Sequence, residues 1–565
     1  MAVTGAEVLA GGGTRFSVWA PRARSVALRL GGEPDRPMRR EGDEWSLTVE
    51  GAGAGARYWF VLDQARALPD PRSRCQPEGV HGPSQVVDPR AFRFRHEAPR
   101  RPLAEWVIEE IHVGAFTMEG TFAAAAARLP AVAEIGINAV EIMPVAAFPG
   151  ARNWGYDGVS LYAPCAAYGT PDELRALVDE AHRLGLAVIL DVVYNHLGPE
   201  GNYTNEFAPY FTCARKTPWG DAIAYERPEV RSWLVDNARH WRDEYRVDAL
   251  RVDAVHAIED PSPRQFLSEL VEGARPLVMI AESEPNESRV VDEWGFDAVW
   301  SDDFHHALHA SLTGERTGYY RSFGPLPRLA RAIEVGWVRG AEAEHARTLS
   351  AERLVVCAQN HDQIGNRALG ERLAHLAGLP SARLAAVATL AAAPSVPLLF
   401  MGEEFAAGAP FLYFTSHGDP ALARAVTEGR RREFAEHGFA WPERVPDPQD
   451  EATFRRSKLD WQEAERAPHD GMRALYRELL RLRRELPTLG ARAKALCRAR
   501  VDGSLLRVAR GPVQVVMNFD EHAAGAIEPG WRCLLLSEER QFGGTVDRPG
   551  NVLPPRAGGL YVPGR

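Results

Sequence analysis

The stretch Ala187-Val-Ile-Leu-Asp-Val-Val-Tyr-Asn-His196 is an apolar run that ends in charged and polar residues. Val247-Asp-Ala-Leu-Arg-Val-Asp253 and Leu277-Val-Met-Ile-Ala-Glu282 repeat the pattern further along the chain. A short apolar run of this kind predicts a strand that is buried on both faces, as in a parallel sheet. Because parallel strands end at the same edge, the three stretches predict a sheet with a polar site at its carboxyl edge.

Five more apolar runs flank these three, and amphipathic segments such as Asp172–Leu184 and Glu229–Tyr245 separate them. Eight strand–helix units favour an α/β fold closed into a (β/α)8 TIM barrel. An open nucleotide-binding sheet would have a G-x-G-x-x-G turn after its first strand, and none follows here. The predicted strands are Val107–Val113, Ala139–Pro144, Ala187–Val193, Val247–Asp253, Leu277–Glu282, Ala298–Ser301, Leu354–Gln359 and Pro397–Gly402.

Short alternating runs separated by Gly, Pro and Asp precede and follow the barrel segment, which predicts β-domains on both sides. We predict an N-terminal β-sandwich over residues 1–97, a catalytic barrel over 98–490 and a small C-terminal β-domain over 491–565. Long connections after the third strand (195–227) and the eighth strand (403–462) lie where barrel enzymes place their active sites.

The composition excludes several classes of partner. A formal net charge of −10 predicts no nucleic-acid partner and no anionic membrane surface. No apolar run approaches the roughly 20 residues that span a bilayer, and no signal peptide is recognisable. The six cysteines are scattered without metal-ligand spacing, which favours free thiols in a reducing compartment. We therefore predict a cytoplasmic protein that interacts with no membrane.

The carboxylates at the strand ends predict glycoside hydrolysis. A single charged strand end is equally compatible with a structural salt bridge. Several carboxylates that face one mouth raise each other's pKa, which is destabilising unless the chemistry uses it. A retaining glycosidase needs two carboxyl groups about 5–5.5 Å apart. Asp253 and Glu282 end neighbouring strands, which is compatible with that separation. Arg251, on the same strand face as Asp253, favours its ionised form, and the apolar run before Glu282 favours a protonated acid.

Other polar residues at this edge are suited to binding a sugar. His196 and His361 can donate hydrogen bonds to hydroxyl groups, and Asp362 can stabilise an oxocarbenium-like transition state. Tyr156 follows the second strand and can stack on a sugar ring, while Asp157 either orients Tyr156 or binds sugar. The aromatic residues Trp154, Tyr203 and Trp219 are candidates for stacking platforms, with packing as the equal alternative.

Four segments resemble the motif regions of the α-amylase superfamily, glycoside hydrolase family 13. They are Asp191–His196, Ala249–His256, Ile280–Glu284 and Asn360–Asn366. The resemblance implies that Asp253 is the nucleophile, Glu282 the acid/base and Asp362 the stabiliser of the transition state. It also implies sugar-binding roles for Arg251, His196, His361 and Tyr156, and it adds His256 and Arg367 as substrate-binding candidates.

Further stretches resemble a narrower branch of that family, whose members act on maltooligosyltrehalose. They are Asp70–Pro83, Phe148–Gly158, Asn195–Tyr203, Thr217–Gly220, Ser301–His306, His361–Arg367 and Phe411–Phe414. This resemblance implies hydrolysis of the α-1,4 bond next to a terminal α,α-trehalose, and functional pairing with a maltooligosyltrehalose synthase. The alternatives are a glycogen-branching or α-1,6-debranching enzyme and, more distantly, a non-catalytic glycan-binding protein.

No cofactor motif is recognisable, and the loop after Asn195 lacks a cluster of acidic ligands, so we predict neither a cofactor nor a required metal. The N-terminal sandwich resembles a carbohydrate-binding module. We expect it to shape the cleft rather than to bind glycan independently.

Overall fold

The computed structural model describes residues 5–217, 219–340, 349–436, 445–525, 530–547 and 552–564. Its centre is a closed barrel of eight parallel strands in sequence order, which confirms the predicted fold class. The barrel strands are Ile108–Ile111, Ala139–Ile142, Ala187–Val192, Ala249–Val252, Val278–Ala281, Ala298–Trp300, Leu354–Cys357 and Val396–Phe400.

The strand register determines which side chains meet inside the barrel. Asp191 lies opposite Arg251, and Val252 lies opposite Ala281, so Asp253 and Glu282 follow their strands at the same level. Alternate residues point inward, and the lower interior is filled by small and branched apolar side chains such as Ala139, Ile189 and Ile280. The inward positions one layer higher carry the polar residues, because they open to the mouth.

Helices cover the outside of the barrel. One example begins at the N-cap Thr170, where Thr170 and Glu173 form a reciprocal capping box and Pro171 occupies the first turn. The α-helices are Val113–Phe116, Phe122–Ile135, Pro171–Arg183, Thr204–Phe207, Pro228–Tyr245, Phe266–Ala274, Arg289–Asp292, Asp302–Thr313, Leu326–Val335, His361–Gly365, Leu373–Val387, Pro420–Glu436, Glu451–Arg456 and His469–Glu485.

The helical stretch Leu373–Ala392 corrects one expectation from the sequence. It is 20 residues long and apolar enough to cross a membrane by length and composition alone. More than half of it is buried inside the protein, and Arg383 within it forms an ion pair with Glu538 of the C-terminal domain at 2.7 Å. Its burial and its internal ion pair are typical of a core helix in a folded domain.

Two antiparallel sheets form the N-terminal domain. Their strands are Gly5–Val8, Thr14–Trp19, Glu44–Val49 and Arg39–Glu41 in one sheet, and Arg36–Pro37, Val26–Leu30, Arg57–Leu62, Arg66–Leu68 and Ser84–Gln85 in the other.

A five-stranded antiparallel sheet and a two-stranded pair form the C-terminal domain. The five strands are Cys497–Asp502, Leu505–Arg510, Val513–Asn518, Gly558–Pro563 and Trp531–Leu536, and the pair is Ala524–Gly525 with Val552–Leu553.

The two long connections have internal structure. The connection after the third strand contains a hairpin of Phe211–Thr217 and Gly220–Ile223, and the shorter one after the second strand contains a hairpin of Ala146–Ala147 and Ser160–Pro164. The connection after the eighth strand is more than the long loop predicted for 403–462, because it contains two helices. Residues 437–444 of that prediction lie outside the described residues.

Candidate active site

Arg251 is the centre of the barrel mouth. Its guanidinium is fully buried, and Nη1 donates hydrogen bonds to Asp191 at 2.8 and 2.9 Å and to Asp253 Oδ1 at 2.9 Å. Nη2 lies 2.8 Å from Glu282 Oε2, an ion pair that is not aligned as a hydrogen bond. The guanidinium carbon also lies 4.3 Å from the ring centre of Trp300. One cation therefore joins three carboxylates from neighbouring strands.

This arrangement corrects one part of the sequence interpretation. Arg251 was expected to distinguish Asp253 as the ionised partner of the pair, but it contacts Glu282 equally closely. The alternation of the strand predicts that Arg251 shares a face with Asp253. It does not show that the second amino group of the guanidinium reaches the adjacent strand.

Asn195 holds Asp253 from the other side, a role that the sequence analysis missed. Its Nδ2 donates to the Asp253 carboxylate at 2.7 Å and to the Asp253 carbonyl at 2.9 Å. Asn195 ends the third strand run, so its position at the mouth was a signal in the sequence. With Arg251 and Asn195 both donating, the Asp253 carboxyl group has a fixed orientation.

The backbone after Asp253 contributes to the position of Glu282. Ala254 has a φ of +39°, a left-handed conformation that is strained for a residue with a side chain. In this conformation the N–H of Ala254 donates to Glu282 Oε2 at 2.9 Å, and the N–H of Val255 donates to the Glu282 carbonyl. The strained turn therefore orients Glu282 toward Asp253.

A chain of hydrogen bonds links His361 to Asp191. His361 Nδ1 lies 2.5 Å from Glu110 Oε1, and His361 Nε2 lies 2.8 Å from the Tyr156 hydroxyl. The same hydroxyl donates to Asp191 Oδ2 at 2.7 Å. Burial opposes charge on the imidazole, but the carboxylates of Asp362 and Glu110 raise the pKa of His361 to about 10. His361 is therefore a cation that donates from both nitrogens, one to Glu110 and one to Tyr156.

Two more interior carboxylates were missed by the sequence analysis. Glu110 and Glu141 lie opposite each other on the first two strands, both fully buried inside the barrel. Glu110 accepts hydrogen bonds from the side chain and the backbone N–H of His361. Neither carboxyl oxygen of Glu141 has a hydrogen-bond partner among the described residues, and burial raises its pKa. Their signal was a glutamate at an inward position of an apolar strand.

Asp362 and Asp302 complete the ring of carboxyl groups. Burial raises the pKa of Asp362 against the opposing effect of His361, whose Nε2 is 3.5 Å away. Burial, together with the charges of Glu282 and Asp362, raises the pKa of Asp302 to about 7. Both residues line a cavity of about 320 Å³ that begins at Glu282. Asp302 is at an inward position beyond the sixth strand and was quoted in the sequence only as part of a longer motif.

His196 and Trp219 form the wall next to Tyr156. His196 Nε2 lies 2.8 Å from the Tyr156 carbonyl, and burial lowers the pKa of His196 to about 4, so the ring is neutral. The ring of Trp219 stacks on His196 with centroids 4.0 Å apart, and Trp219 is 44% exposed. The exposed indole face is available for a sugar ring, as the stacking prediction requires.

Trp154 differs from that prediction. It is only 4% exposed, stacks on Phe411 at 5.3 Å and contacts the edge of His361. Its Nε1 donates to the carbonyl of Leu412. A ring enclosed in this way presents no open face to a sugar, so Trp154 supports His361 from behind.

Four predicted sugar-binding residues remain, and each makes different contacts around the mouth. His256 accepts a hydrogen bond from the Glu284 N–H beside Glu282. Arg367 lines the cavity and pairs with Glu315 at 3.0 Å. Asp157 accepts from Asn153 at 2.5 Å. Tyr203 contacts the N-terminal domain instead, since its hydroxyl is 2.6 Å from His81 and Arg66 covers its ring.

No group of three or more His, Cys, Asp or Glu side chains with the geometry to hold a metal ion occurs among the described residues. The groups that the described residues bring together at this mouth are paired carboxyl groups, one cationic arginine and one cationic histidine. Such a set can protonate a glycosidic oxygen, attack a sugar carbon and stabilise developing positive charge.

Comparison with known proteins agrees with this chemistry. The family model for the alpha-amylase catalytic domain matches residues 93–219, and that for carbohydrate-binding module 48, the isoamylase N-terminal domain, matches residues 3–79. A solved structure from Salmonella typhimurium, described as an alpha-amylase, covers all of both chains with a TM-score of 0.89 and 38% identity. The chain is thus a glycoside hydrolase of the α-amylase type.

Relatives along nearly the whole chain are more specific. A malto-oligosyltrehalose trehalohydrolase from Rhizobium sp. is 44% identical over 95% of this chain and 96% of its own length. One from Saccharolobus solfataricus is 41% identical over 84% and 85%. A 1,4-alpha-glucan branching enzyme from Streptomyces avermitilis is 36% identical, but over only 43% of this chain and 32% of its own. The chain belongs to the malto-oligosyltrehalose trehalohydrolase family.

Proposed function

We propose that this protein hydrolyses the α-1,4 bond between a maltooligosaccharide and its terminal α,α-trehalose, releasing both products. The observation that carries the chemistry is the pair Asp253 and Glu282, held on one guanidinium at the ends of adjacent strands. The substrate follows from the relatives, which share the family over almost the entire chain.

We assign a role to each carboxylate. Glu282 protonates the glycosidic oxygen as Asp253 attacks C1 of the maltooligosaccharide, so the C1–oxygen bond breaks and trehalose leaves with the proton. Glu282, now ionised, takes a proton from water, and the water oxygen attacks C1 and displaces Asp253. The two donors on Asp253, Arg251 and Asn195, hold its carboxyl group in position for the attack. Asp362 faces the cavity and stabilises the positive charge of the transition state.

The neighbouring side chains prepare the sugar for this reaction. Cationic His361 donates to Glu110 and to Tyr156 and so holds Tyr156 in place, while Asp362 is suited to accept from a ring hydroxyl. Neutral His196 and the exposed face of Trp219 form a platform next to Tyr156. We propose that Tyr156, fixed by Asp191 and His361, stacks beneath the sugar that carries the reacting C1.

The test is a product assay with maltooligosyltrehalose. The wild-type protein should release free trehalose, and proton NMR at early times should show the new reducing end in the α configuration, the same as the bond cleaved. Asp253→Asn and Glu282→Gln should each lower kcat by at least about 10³-fold while leaving the thermal midpoint within a few degrees. Free trehalose at a normal rate from Asp253→Asn would contradict the assigned nucleophile.

A branching or α-1,6-debranching activity is the second candidate, because such enzymes share this fold. Incubation with amylose and with glycogen tests it directly. New α-1,6 linkages, or their cleavage, without trehalose release would favour this alternative.

We further propose that the substrate is supplied by a maltooligosyltrehalose synthase, since the terminal trehalose must first be formed on the glucan.

A further inference from the structure

The cavity beside Glu282 is on the leaving-group side of the proposed reaction. Its volume of about 320 Å³ is at the lower end of the range for small-molecule sites. Its lining includes Glu282, Asp362, Arg367 and Glu371, whereas Asp253 is not part of the lining. Since an acid catalyst stands on the side of the oxygen that departs, this cavity receives the departing sugar.

His306 is a polar group in this cavity wall without a hydrogen-bond partner in the part of the chain that the structure describes. It is 7% exposed; its Nδ1 is shielded from solvent and has no hydrogen-bond partner, and Nε2, which also makes no hydrogen bond among these residues, is not among the shielded atoms. Its neighbours on the same helix are different. His305 bonds to the Ala358 carbonyl and the Tyr320 hydroxyl, and His309 bonds to Glu315. A buried histidine without hydrogen bonds is destabilising, and since Nδ1 is inaccessible, Nε2 is the nitrogen that a ligand in the cavity can reach.

The surroundings of His306 hold its ring in place and keep the imidazole uncharged. Tyr319 stacks on the imidazole at 6.0 Å, and Phe323 packs against it at 5.1 Å. Burial lowers the pKa of His306 to about 3, and Arg339 adds to this effect. A neutral imidazole has one donor and one acceptor nitrogen, which matches the donor and acceptor character of a sugar hydroxyl.

We propose that His306 is a specificity-determining residue that hydrogen-bonds a hydroxyl group of the departing disaccharide in the cavity beside Glu282. The proposal rests on the proposed function, because it takes the departing sugar to be trehalose. A site that pairs a buried polar group with one ligand discriminates against ligands that leave this group unpaired. His306 therefore distinguishes trehalose from a maltose unit, whose second ring is linked through a different carbon and presents its hydroxyls elsewhere.

The test uses His306→Phe, which keeps an aromatic ring against Tyr319 and Phe323 but removes both nitrogens. Competitive inhibition by trehalose and by maltose is measured with maltooligosyltrehalose as the substrate. For His306→Phe we expect trehalose inhibition to weaken by about 3- to 10-fold, the loss of one neutral hydrogen bond. Maltose inhibition should change by less than about twofold. His306→Asn, whose amide retains a donor and an acceptor, should recover part of the difference.

Phe323→Leu is the matched control, since it alters packing against the same ring without changing a polar atom. It should lower the thermal midpoint and leave the ratio of the two inhibition constants as in the wild type. Equal loss of trehalose and maltose binding in His306→Phe, or no loss of either, would overturn the proposal. If His306→Phe does not fold, the same ratio measured on His306→Leu, which also lacks both nitrogens, decides. A wild-type protein that releases no trehalose would instead overturn the proposed function.

Discussion

Replacing Arg251 by lysine tests whether one guanidinium organises the pair Asp253 and Glu282. Lysine keeps the positive charge but has a single nitrogen, whereas Arg251 uses Nη1 for Asp191 and Asp253 and Nη2 for Glu282. One ammonium cannot bridge both sides, so at least one of these contacts is lost. A hydrogen bond to a charged group contributes about 1.5–3 kcal/mol. At about 1.4 kcal/mol per tenfold change, Arg251→Lys should lower kcat/KM by about 10- to 150-fold.

The assay is steady-state release of trehalose from maltooligosyltrehalose, together with thermal unfolding of each variant. Arg175→Lys is the matched control, because Arg175 is also fully buried and contacts Glu244 and Asp172, but on a helix outside the barrel. We expect this control to lose stability and to keep kcat/KM within about twofold of the wild type. If Arg251→Lys were to retain kcat/KM within about threefold while Asp253→Asn is inactive, the bridging role of Arg251 would be refuted.

Three further outcomes follow from the structure. Asn195→Ala removes two hydrogen bonds to Asp253, one of them to its carboxyl group. The kcat should therefore fall by about 10- to 100-fold with KM nearly unchanged. A change in KM alone would argue against a role of Asn195 in orienting the nucleophile. Burial raises the pKa of Glu403 to about 7 from 4.5, so the folded state holds a proton that the unfolded chain releases, and stability falls as pH rises through this window. Glu403→Gln, which still accepts from Tyr476, should therefore gain thermal midpoint over the wild type at pH 8 more than at pH 5, and an equal difference at both would contradict the buried acid. Glu538→Ala leaves Arg383 buried without its ion pair and should cost about 3–5 kcal/mol of unfolding free energy, measured by urea denaturation, whereas a loss below about 1 kcal/mol would show that the contact does not anchor the C-terminal domain.

The barrel was predictable because its determinants are local. Eight apolar runs of strand length, each followed by an amphipathic segment, specify buried parallel strands before any contact is known. The site was predictable for the same reason, since alternation puts Arg251 and Asp253 on one face and repeat spacing puts Glu282 beside them. The strands that carry these residues, Ala249–Val252 and Val278–Ala281, are four residues long, which leaves little freedom in their pairing register.

The features that could not be predicted depend on contacts between elements that are distant in sequence. The exposure of an aromatic residue in a loop depends on what the other loops place against it. Trp154 is covered by Phe411, which comes from the connection after the eighth strand. Trp219 stacks on His196 with one face and keeps its other face open. The helix Pro420–Glu436 also lay inside a segment that composition alone marks as a loop. In each case the deciding neighbour is more than 200 residues away or has no periodic signal of its own.

The charge balance of the mouth limits how its pH dependence can be assigned. Among the described residues, Arg251 and His361 are the cations that form ion pairs with the carboxyl groups of the mouth, since Arg339 and Arg367 on the cavity wall pair with Asp303 and Glu315 instead. The carboxyl groups are Glu110, Glu141, Asp191, Asp253, Glu282, Asp302 and Asp362. Two cations cannot balance seven carboxylates in a buried region, so some of these acids hold protons. Glu141 is one, since neither of its oxygens has a partner, and the pKa values of Asp191 and Asp302, raised to about 7, make their protonation change in the same range. The limbs of a bell-shaped pH–rate profile will therefore report the coupled group and not Glu282 alone. Removing one outer member, for example by Asp302→Asn, should shift the alkaline limb even though Glu282 is unchanged.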